Sequence, residues 1–197
     1  MSAPTADGRS EALFTDLYEL TMGAAYLGDG NLAPATFELW VRDLEGRNFL
    51  VAAGLETALR YLEAFSFDGP SLDYLRLLNR FPPAFLEHLA SLRFTGDVWA
   101  VPEGTVVFAQ EPLMRVTGPI IEAQMVETFL LNTVGFQTLI AAEAARVTIA
   151  AAGRSWVDFG ARRAHGFDAG LGAARSAYLA GADATSLVLA GREYGIP

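Results

Sequence analysis

The sequence predicts an α/β fold in two parts: a mixed helical and β-rich N-terminal domain, then a β/α alternation that stops before it closes. Three observations predict it. Apolar residues recur at helical spacing through much of residues 12–92. Short β-rich runs divided by Pro and Gly turns occupy residues 94–118. A strand, a helix and a second strand follow residue 135 in that order. The expected domains are a disordered tail over 1–10, an N-terminal α/β domain over 11–134, and the first part of an α/β barrel over 135–197.

Residues 12–27 read as a helix through Leu13, Leu17 and Leu20, ended by Gly28-Asp29-Gly30. Residues 35–42 alternate as a strand does, with Phe37, Leu39 and Val41 on one face. Leu50 to Phe65 reads as a helix through Val51, Leu55, Leu59 and Leu62. Ser71 is placed to cap a helix over Leu72–Asn79. Pro82 and Pro83 suit the first turn of another helix reaching about Leu92, where a missing N–H costs little. Asp97–Val101, Thr105–Gln110 and Leu113–Thr117 look like a small antiparallel meander. Helices are expected over 120–133 and 136–151. Ser155–Phe159 then reads as a strand, Ala169–Leu179 as a Gly/Ala-rich helix, and Thr185–Leu189 as a strand, unless the run to Tyr194 is helical. Residues 135–197 are far fewer than the roughly 250 of a full (β/α)₈ barrel. The chain therefore reads as the N-terminal part of a larger protein. An unclosed barrel would expose strand edges, so the isolated chain is expected to aggregate.

Composition excludes whole classes of chemistry. The chain has 197 residues, of which 14 are Lys or Arg and 23 are Asp or Glu, for a net charge of −9. Every basic residue is Arg, and there is no Lys and no Cys. That removes a Walker-type Lys, a Schiff-base Lys, a Cys nucleophile, thiolate zinc and disulfides. An acidic chain lacks the basic face that nucleic acid requires. No stretch approaches the roughly 20 apolar residues that span a bilayer, and Met1 to Ser10 carries no apolar signal run. The expectation is a soluble cytoplasmic protein with no nucleic-acid or membrane partner.

Several motifs invite functional readings. Asp158-Phe159-Gly160 spells the kinase magnesium tripeptide, but a kinase also needs a Lys and a His-Arg-Asp loop, and both are missing. Gly170-Leu171-Gly172-Ala173-Ala174-Arg175 half-resembles a dinucleotide fingerprint and reads better as close helix packing. His88 reads as a surface or boundary residue. His165, just past a strand end, has the better functional claim. With neither HxxxH nor HxH spacing, the two give no metal site on their own. The strongest local signal is Asp158-Phe159-Gly160-Ala161-Arg162-Arg163. Here an apolar strand ends in an acid, an aromatic, a Gly and two Arg. Active sites of α/β folds sit at strand carboxyl ends, where a ring can stack a planar substrate and Arg can grip a carboxylate or phosphate. A strand cap with solvated Arg has the same pattern. Asp16-Leu17-Tyr18 reads by pattern alone as an ordinary amphipathic helix.

Taken together, the motifs carry a resemblance. Thr15-Asp16-Leu17-Tyr18-Glu19-Leu20-Thr21-Met22, Phe37-Glu38-Leu39 with Val41-Arg42, and Leu50-Val51-Ala52-Ala53-Gly54-Leu55-Glu56 come first. Pro102-Glu103-Gly104-Thr105, Glu111-Pro112-Leu113, Leu131-Asn132-Thr133, Asp158 to Arg163 and Val188-Leu189-Ala190-Gly191 follow in order. From Leu13 onward the chain resembles the nicotinate phosphoribosyltransferases, a type II phosphoribosyltransferase family of NAD salvage. The resemblance implies an N-terminal α/β domain followed by an irregular α/β barrel, incomplete here. It implies a homodimer with active sites at the subunit interface. It also implies condensation of nicotinate with phosphoribosyl pyrophosphate, coupled to ATP hydrolysis through a phosphorylated His, with Mg²⁺ at the phosphates.

Under the resemblance, Phe159 matches the aromatic on one face of the pyridine ring. Tyr18 matches the aromatic on the other face, supplied by the partner subunit. Arg162 matches the Arg beside the ring carboxylate and the phosphoribosyl group. Asp16 and Asp183 match positions near the site. Arg42, Arg47, Arg163 and His165 are weaker candidates for the phosphates. The family's phosphoacceptor His, in a Gly-Thr-x-Ala-His segment, would fall beyond Pro197, and its later Gly-rich phosphate loops are absent too. No catalytic residue proper and no metal ligand is therefore assigned, and the isolated chain is expected not to couple ATP hydrolysis to synthesis. Leu187 stands where many relatives have Asn. A relative acting on nicotinamide, or a non-catalytic dimerising fragment, remains the alternative, since Arg162 suits both kinds of ring.

Overall fold

The computed structural model describes residues 11–42 and 46–197. The tail expected over 1–10 lies outside the described residues. The chain forms two compact units. The first takes the described residues of Met1–Leu39, Glu56–Trp99 and Met114–Asn132. The second takes those of Trp40–Leu55, Ala100–Leu113 and Thr133–Pro197.

In the first unit a short 3-10 turn (Glu11–Leu13) precedes helix α1 (Leu17–Gly28). The single helix expected over 12–27 is thus divided. Asp16 is the N-cap, and the Glu19 carboxylate turns back to accept from the Asp16 amide at 3.2 Å. That return bond closes a capping box. Strand β1 (Pro34–Trp40) follows, then helices α2 (Leu55–Ala64), α3 (Gly69–Leu77) and α4 (Pro83–Ser91). α3 starts earlier than expected because its cap is Asp68 and not Ser71: Asp68 Oδ1 accepts from the Ser71 amide at 2.9 Å. Bonds from the Ser71 hydroxyl and then its amide hold the Asp68 carboxyl below its ordinary range. The core gathers Leu20, Tyr61, Leu62, Phe65, Leu75, Phe85, Leu89, Ile121 and Met125. α1 packs on α5 (Ile120–Met125) at Gly23, where a Cβ would run into Met125 Cε. The Tyr61 ring stacks on Phe129 with centroids 3.7 Å apart.

Strands β3 (Asp97–Ala100), β4 (Val106–Val107) and β5 (Pro112–Pro119) do not form the expected meander. The three-stranded sheet has the order β1-β5-β3, and β4 pairs antiparallel with β2 (Leu50–Val51). The turn between β3 and β4 is the cause. At Gly104, φ is +84°, and the Gly104 amide donates to Ala52 O at 2.8 Å while the Ala52 amide donates to Thr105 O at 2.9 Å. The backbone leaving the turn is thus committed to residues 50–52. This also corrects the helix expected from Leu50: residues 50–51 are strand, and α2 begins only after Gly54, whose φ of +96° no helix accommodates. A Cβ there would lie 3.1 Å from Thr133 O.

The helices expected over 120–133 and 136–151 are differently divided. α5 ends at Met125, and α6 (Glu127–Ala151) runs unbroken through Gly135. In the second unit, α6 lies against small side chains. Ala144, Ala177 and Ala182 form one buried cluster, and Gly172 faces Gln137 at van der Waals distance. Gly170 to Arg175 lies wholly inside α7 (Phe167–Leu179), so its small residues serve packing rather than a strand-to-helix phosphate turn. Strands β6 (Val157–Asp158) and β7 (Ala184–Thr185) pair in parallel, with α7 as the crossover between them. Both are shorter than expected. α8 (Val188–Tyr194) takes the helical alternative for the last segment. No closed barrel forms among the described residues.

An ion pair ties the second unit together. Arg175 on α7 reaches both carboxylate oxygens of Glu103, at 2.8 and 2.6 Å. Glu103 Oε1 also accepts from the Gly54 amide at 2.7 Å. The Thr138 hydroxyl on α6 bonds both the amide and the carbonyl of Ala53, each at 3.2 Å.

Candidate functional site

The residues expected to meet a ligand fall in both units. In the first, Tyr18 lies in the opening turn of α1 and is 47% exposed. Its hydroxyl donates to Glu127 Oε1 at 3.2 Å. Beneath it Glu19 is fully buried. Glu19 accepts from the Thr15 hydroxyl, from the Asp16 amide, and from the Thr128 hydroxyl at 2.9 Å. Thr128 Oγ1 also lies 3.2 Å from Asp16 Oδ2. Two adjacent residues at the start of α6 thus hold the segment that presents Tyr18. Burial raises the Glu19 carboxyl above its ordinary range, opposed by the bonds from Thr15, Thr128 and Asp16. Tyr18 is pushed up to about 12, first by desolvation of its hydroxyl and then by the charges of Glu127, Glu19 and Asp16. It stays neutral, a donor to Glu127, at ordinary pH.

In the second unit β6 ends at Asp158, and Gly160–Arg163 forms a 3-10 turn. Phe159, 60% exposed, stands at the junction. Arg162 and Arg163 lie on the turn, which buries none of its residues, and His165 follows, exposed. Among the described residues neither Arg is held in an ion pair. An exposed ring beside uncommitted guanidinium groups at a strand carboxyl end can take a flat anionic ligand.

The other expected residues lie elsewhere. Asp183 is at the amino ends of the β6–β7 pair, not the carboxyl ends. Its Oδ2 accepts from the Ser155 hydroxyl and the Trp156 amide, each at 2.9 Å. Those bonds, the amide first, hold its carboxyl below the ordinary range. Arg47 is paired with Glu143 on α6 at 2.8 Å. Arg42 is exposed beyond β1. His88 is half-buried in the last turn of α4. Leu187 caps α8, with its amide on Thr185 Oγ1 at 3.1 Å.

Sequence reasoning missed Glu19, Glu127 and Thr128 around Tyr18, and Thr185 beside Asp158. The capping-box spacing of Asp16 and Glu19 was a usable signal. Glu127 and Thr128 are more than a hundred residues away and left none.

Comparison with known proteins identifies the family. The model of the nicotinate phosphoribosyltransferase (NAPRTase) N-terminal domain matches residues 13–135. Over 187 residues the chain is 56% identical to nicotinate phosphoribosyltransferase pncB2 of Mycobacterium tuberculosis, covering 94% of this chain and 40% of that protein. It is 45% identical over 190 residues to the nicotinate phosphoribosyltransferase of Bacillus subtilis, covering 95% of this chain and 39% of the other. The crystal structure of human nicotinic acid phosphoribosyltransferase superposes with a TM-score of 0.85 at 40% identity, covering 93% of this chain and 38% of that one. The chain belongs to the nicotinate phosphoribosyltransferase family. It spans about 40% of the length of the curated relatives it matches.

No described helix is long and apolar enough to cross a membrane. Among the described residues, no group of three or more His, Asp or Glu side chains is arranged to hold a metal ion. The carboxylates of Glu19 and Glu127 are instead engaged with Thr15, Thr128 and Tyr18. Those two carboxylates are therefore already committed to protein partners.

Proposed function

We propose that the protein carrying this chain is a nicotinate phosphoribosyltransferase acting in NAD salvage. It joins the pyridine nitrogen of nicotinate to C1 of phosphoribosyl pyrophosphate. The N–C1 bond forms, the bond from C1 to the pyrophosphate oxygen breaks, and pyrophosphate leaves with that electron pair. The observation that carries this reading is the 56% identity over 94% of the chain to an enzyme of that name.

The exposed Phe159 supports a role in stacking one face of the ring, and Arg162 a role in gripping the ring carboxylate in bidentate fashion. Tyr18 of a second copy supplies the other face, which makes the working form a homodimer. Glu127 and the buried Glu19 hold the Tyr18 segment, and Asp16 is the cap from which it starts. Arg163 and His165, both exposed, are assigned to the phosphoribosyl group in this reading. Arg42 is exposed and free to join them, whereas Arg47 is engaged with Glu143. Asp183, exposed, accepts from Ser155 and Trp156 at the amino ends of the strand pair. A clamped ring keeps its nitrogen on line with C1, which converts an encounter of two substrates into a positioned reaction. ATP and Mg²⁺ belong to the proposal through the family alone, and no step of this chain's residues passes through them.

The test is product formation by the full-length protein from nicotinate and phosphoribosyl pyrophosphate, with nicotinamide as competitor. Nicotinate mononucleotide is expected, and Phe159→Ala or Arg162→Ala should each lower kcat/KM for nicotinate. Absence of product, or preference for nicotinamide, overturns the reading.

A further inference from the structure

Phe159 is 60% exposed, so packing cannot fix the direction of its ring. β6 contributes only two residues of ladder before it, and a glycine follows it. What holds the backbone at this point is Asp158. Its Oδ1 accepts from the Gly160 amide at 2.8 Å, an Asx turn that closes directly over Phe159. Its Oδ2 accepts from the Thr185 hydroxyl at 3.0 Å, and its carbonyl accepts from the Ser186 amide at 2.9 Å. Thr185 Oγ1 in turn accepts from the Leu187 amide at 3.1 Å. One carboxylate and one hydroxyl therefore link the loop after β6 to the loop after β7. Gly160 belongs to the same device, since a Cβ there would lie 2.9 Å from Asp158 Oδ1.

We propose that Asp158, acting with Thr185, is a positioning residue that sets the Phe159–Arg162 turn in its ligand-ready arrangement for a planar aromatic carboxylate. The proposal rests on the reading that Phe159 and Arg162 bind nicotinate. Asp158 touches no ligand in this account. It removes the freedom of the turn before binding, and such preorganisation appears as affinity. Asparagine can take its place, because its amide oxygen still accepts from Gly160 and its amide nitrogen can donate to Thr185.

The test is nicotinate binding to the full-length protein by titration calorimetry, with the thermal midpoint followed in parallel. Thr185→Val should raise Kd about three- to tenfold, the span of its one bond to Asp158, and Asp158→Ala, which removes two bonds, at least as much. Asp158→Asn should stay within about twofold of wild type, a rescue that loss of general stability would not give. Phe159→Ala is the control for the underlying reading. If it weakens binding while Asp158→Ala and Thr185→Val do not, the positioning role is overturned and the binding reading stands. If Phe159→Ala and Arg162→Ala both leave Kd unchanged, the binding reading falls and takes the positioning role with it. If Asp158→Ala does not fold, Thr185→Val decides, because it removes the hydroxyl without touching β6. An Asp158→Asn variant as weak as Asp158→Ala also overturns the hydrogen-bond account.

Discussion

Replacing Arg175 with Met should destabilise the protein far more than loss of a surface charge would. The Arg175 and Glu103 side chains are 11% and 15% exposed, so solvent screens the pair little. Removing the cation leaves Glu103 with the Gly54 amide but without two charge-assisted bonds. Breaking a buried pair from one side costs about 3–5 kcal/mol. The residual exposure points to the lower end, about 3 kcal/mol. In a domain of this size that lowers Tm by roughly 6–12 °C. Glu103→Gln keeps an acceptor for Gly54 but removes the negative charge that the guanidinium faces, so it should cost a similar amount. The double variant Arg175→Met, Glu103→Gln should cost clearly less than the sum, with a coupling of about 2 kcal/mol. Urea denaturation followed by circular dichroism measures all four corners of the cycle. A single Arg175→Met variant within about 0.5 kcal/mol of wild type, the surface range, would refute the reasoning.

Three further outcomes are expected. Tyr18 should not ionise near its ordinary value of 10 but at about 12, read as the tyrosinate absorbance that Tyr18→Phe removes, and Glu127→Gln should move the midpoint down. Because the folded value lies above the unfolded one, Tyr18's share of stability is intact below pH 10 and is lost as pH rises towards about 12. Glu19→Leu should cost about 1–3 kcal/mol more than Glu19→Gln, because it leaves the partly buried hydroxyls of Thr15 and Thr128 and the Asp16 amide without their shared acceptor; chemical denaturation reads the difference. Gly54→Ala should cost about 1–3 kcal/mol, since φ is +96° and the added Cβ would press on Thr133 O; a thermal midpoint equal to wild type would contradict this.

Elements whose signals are local were legible in the sequence. The start of α4 at Pro83, the crossover helix α7 and the β1 strand follow from proline chemistry, small-residue periodicity and alternation. The errors came where a tertiary partner outweighs local pattern. Leu50 and Val51 fit a helical period, yet Val106 and Val107 claim them as a strand. The β-rich runs were visible, but their order was not, because it depends on which amides Gly104 turns towards. The helix over 120–151 was divided at its glycine rather than at Val126, since a glycine inside a well-packed helix is tolerated. For the candidate site, the Asp158 to Arg163 loop announced itself by composition. Tyr18 did not, since the groups that support it, Glu127 and Thr128, lie at the start of another helix.

The β6–β7 pair has a consequence for how this segment finds its alignment. Each strand contributes two residues, Val157 opposite Ala184 and Asp158 opposite Thr185. A ladder that short cannot select its own register by backbone bonds alone. A slip of one residue would exchange the faces of Val157 and Asp158 and turn Phe159 with them. Side chains at the two ends act as registration pins: Asp183 locks onto Ser155 and Trp156 at one end, and Asp158 locks onto Thr185 at the other. Alignment is thus written in polar side chains outside the hydrophobic core, so a substitution at any of them can misalign the pair while leaving the buried packing unchanged.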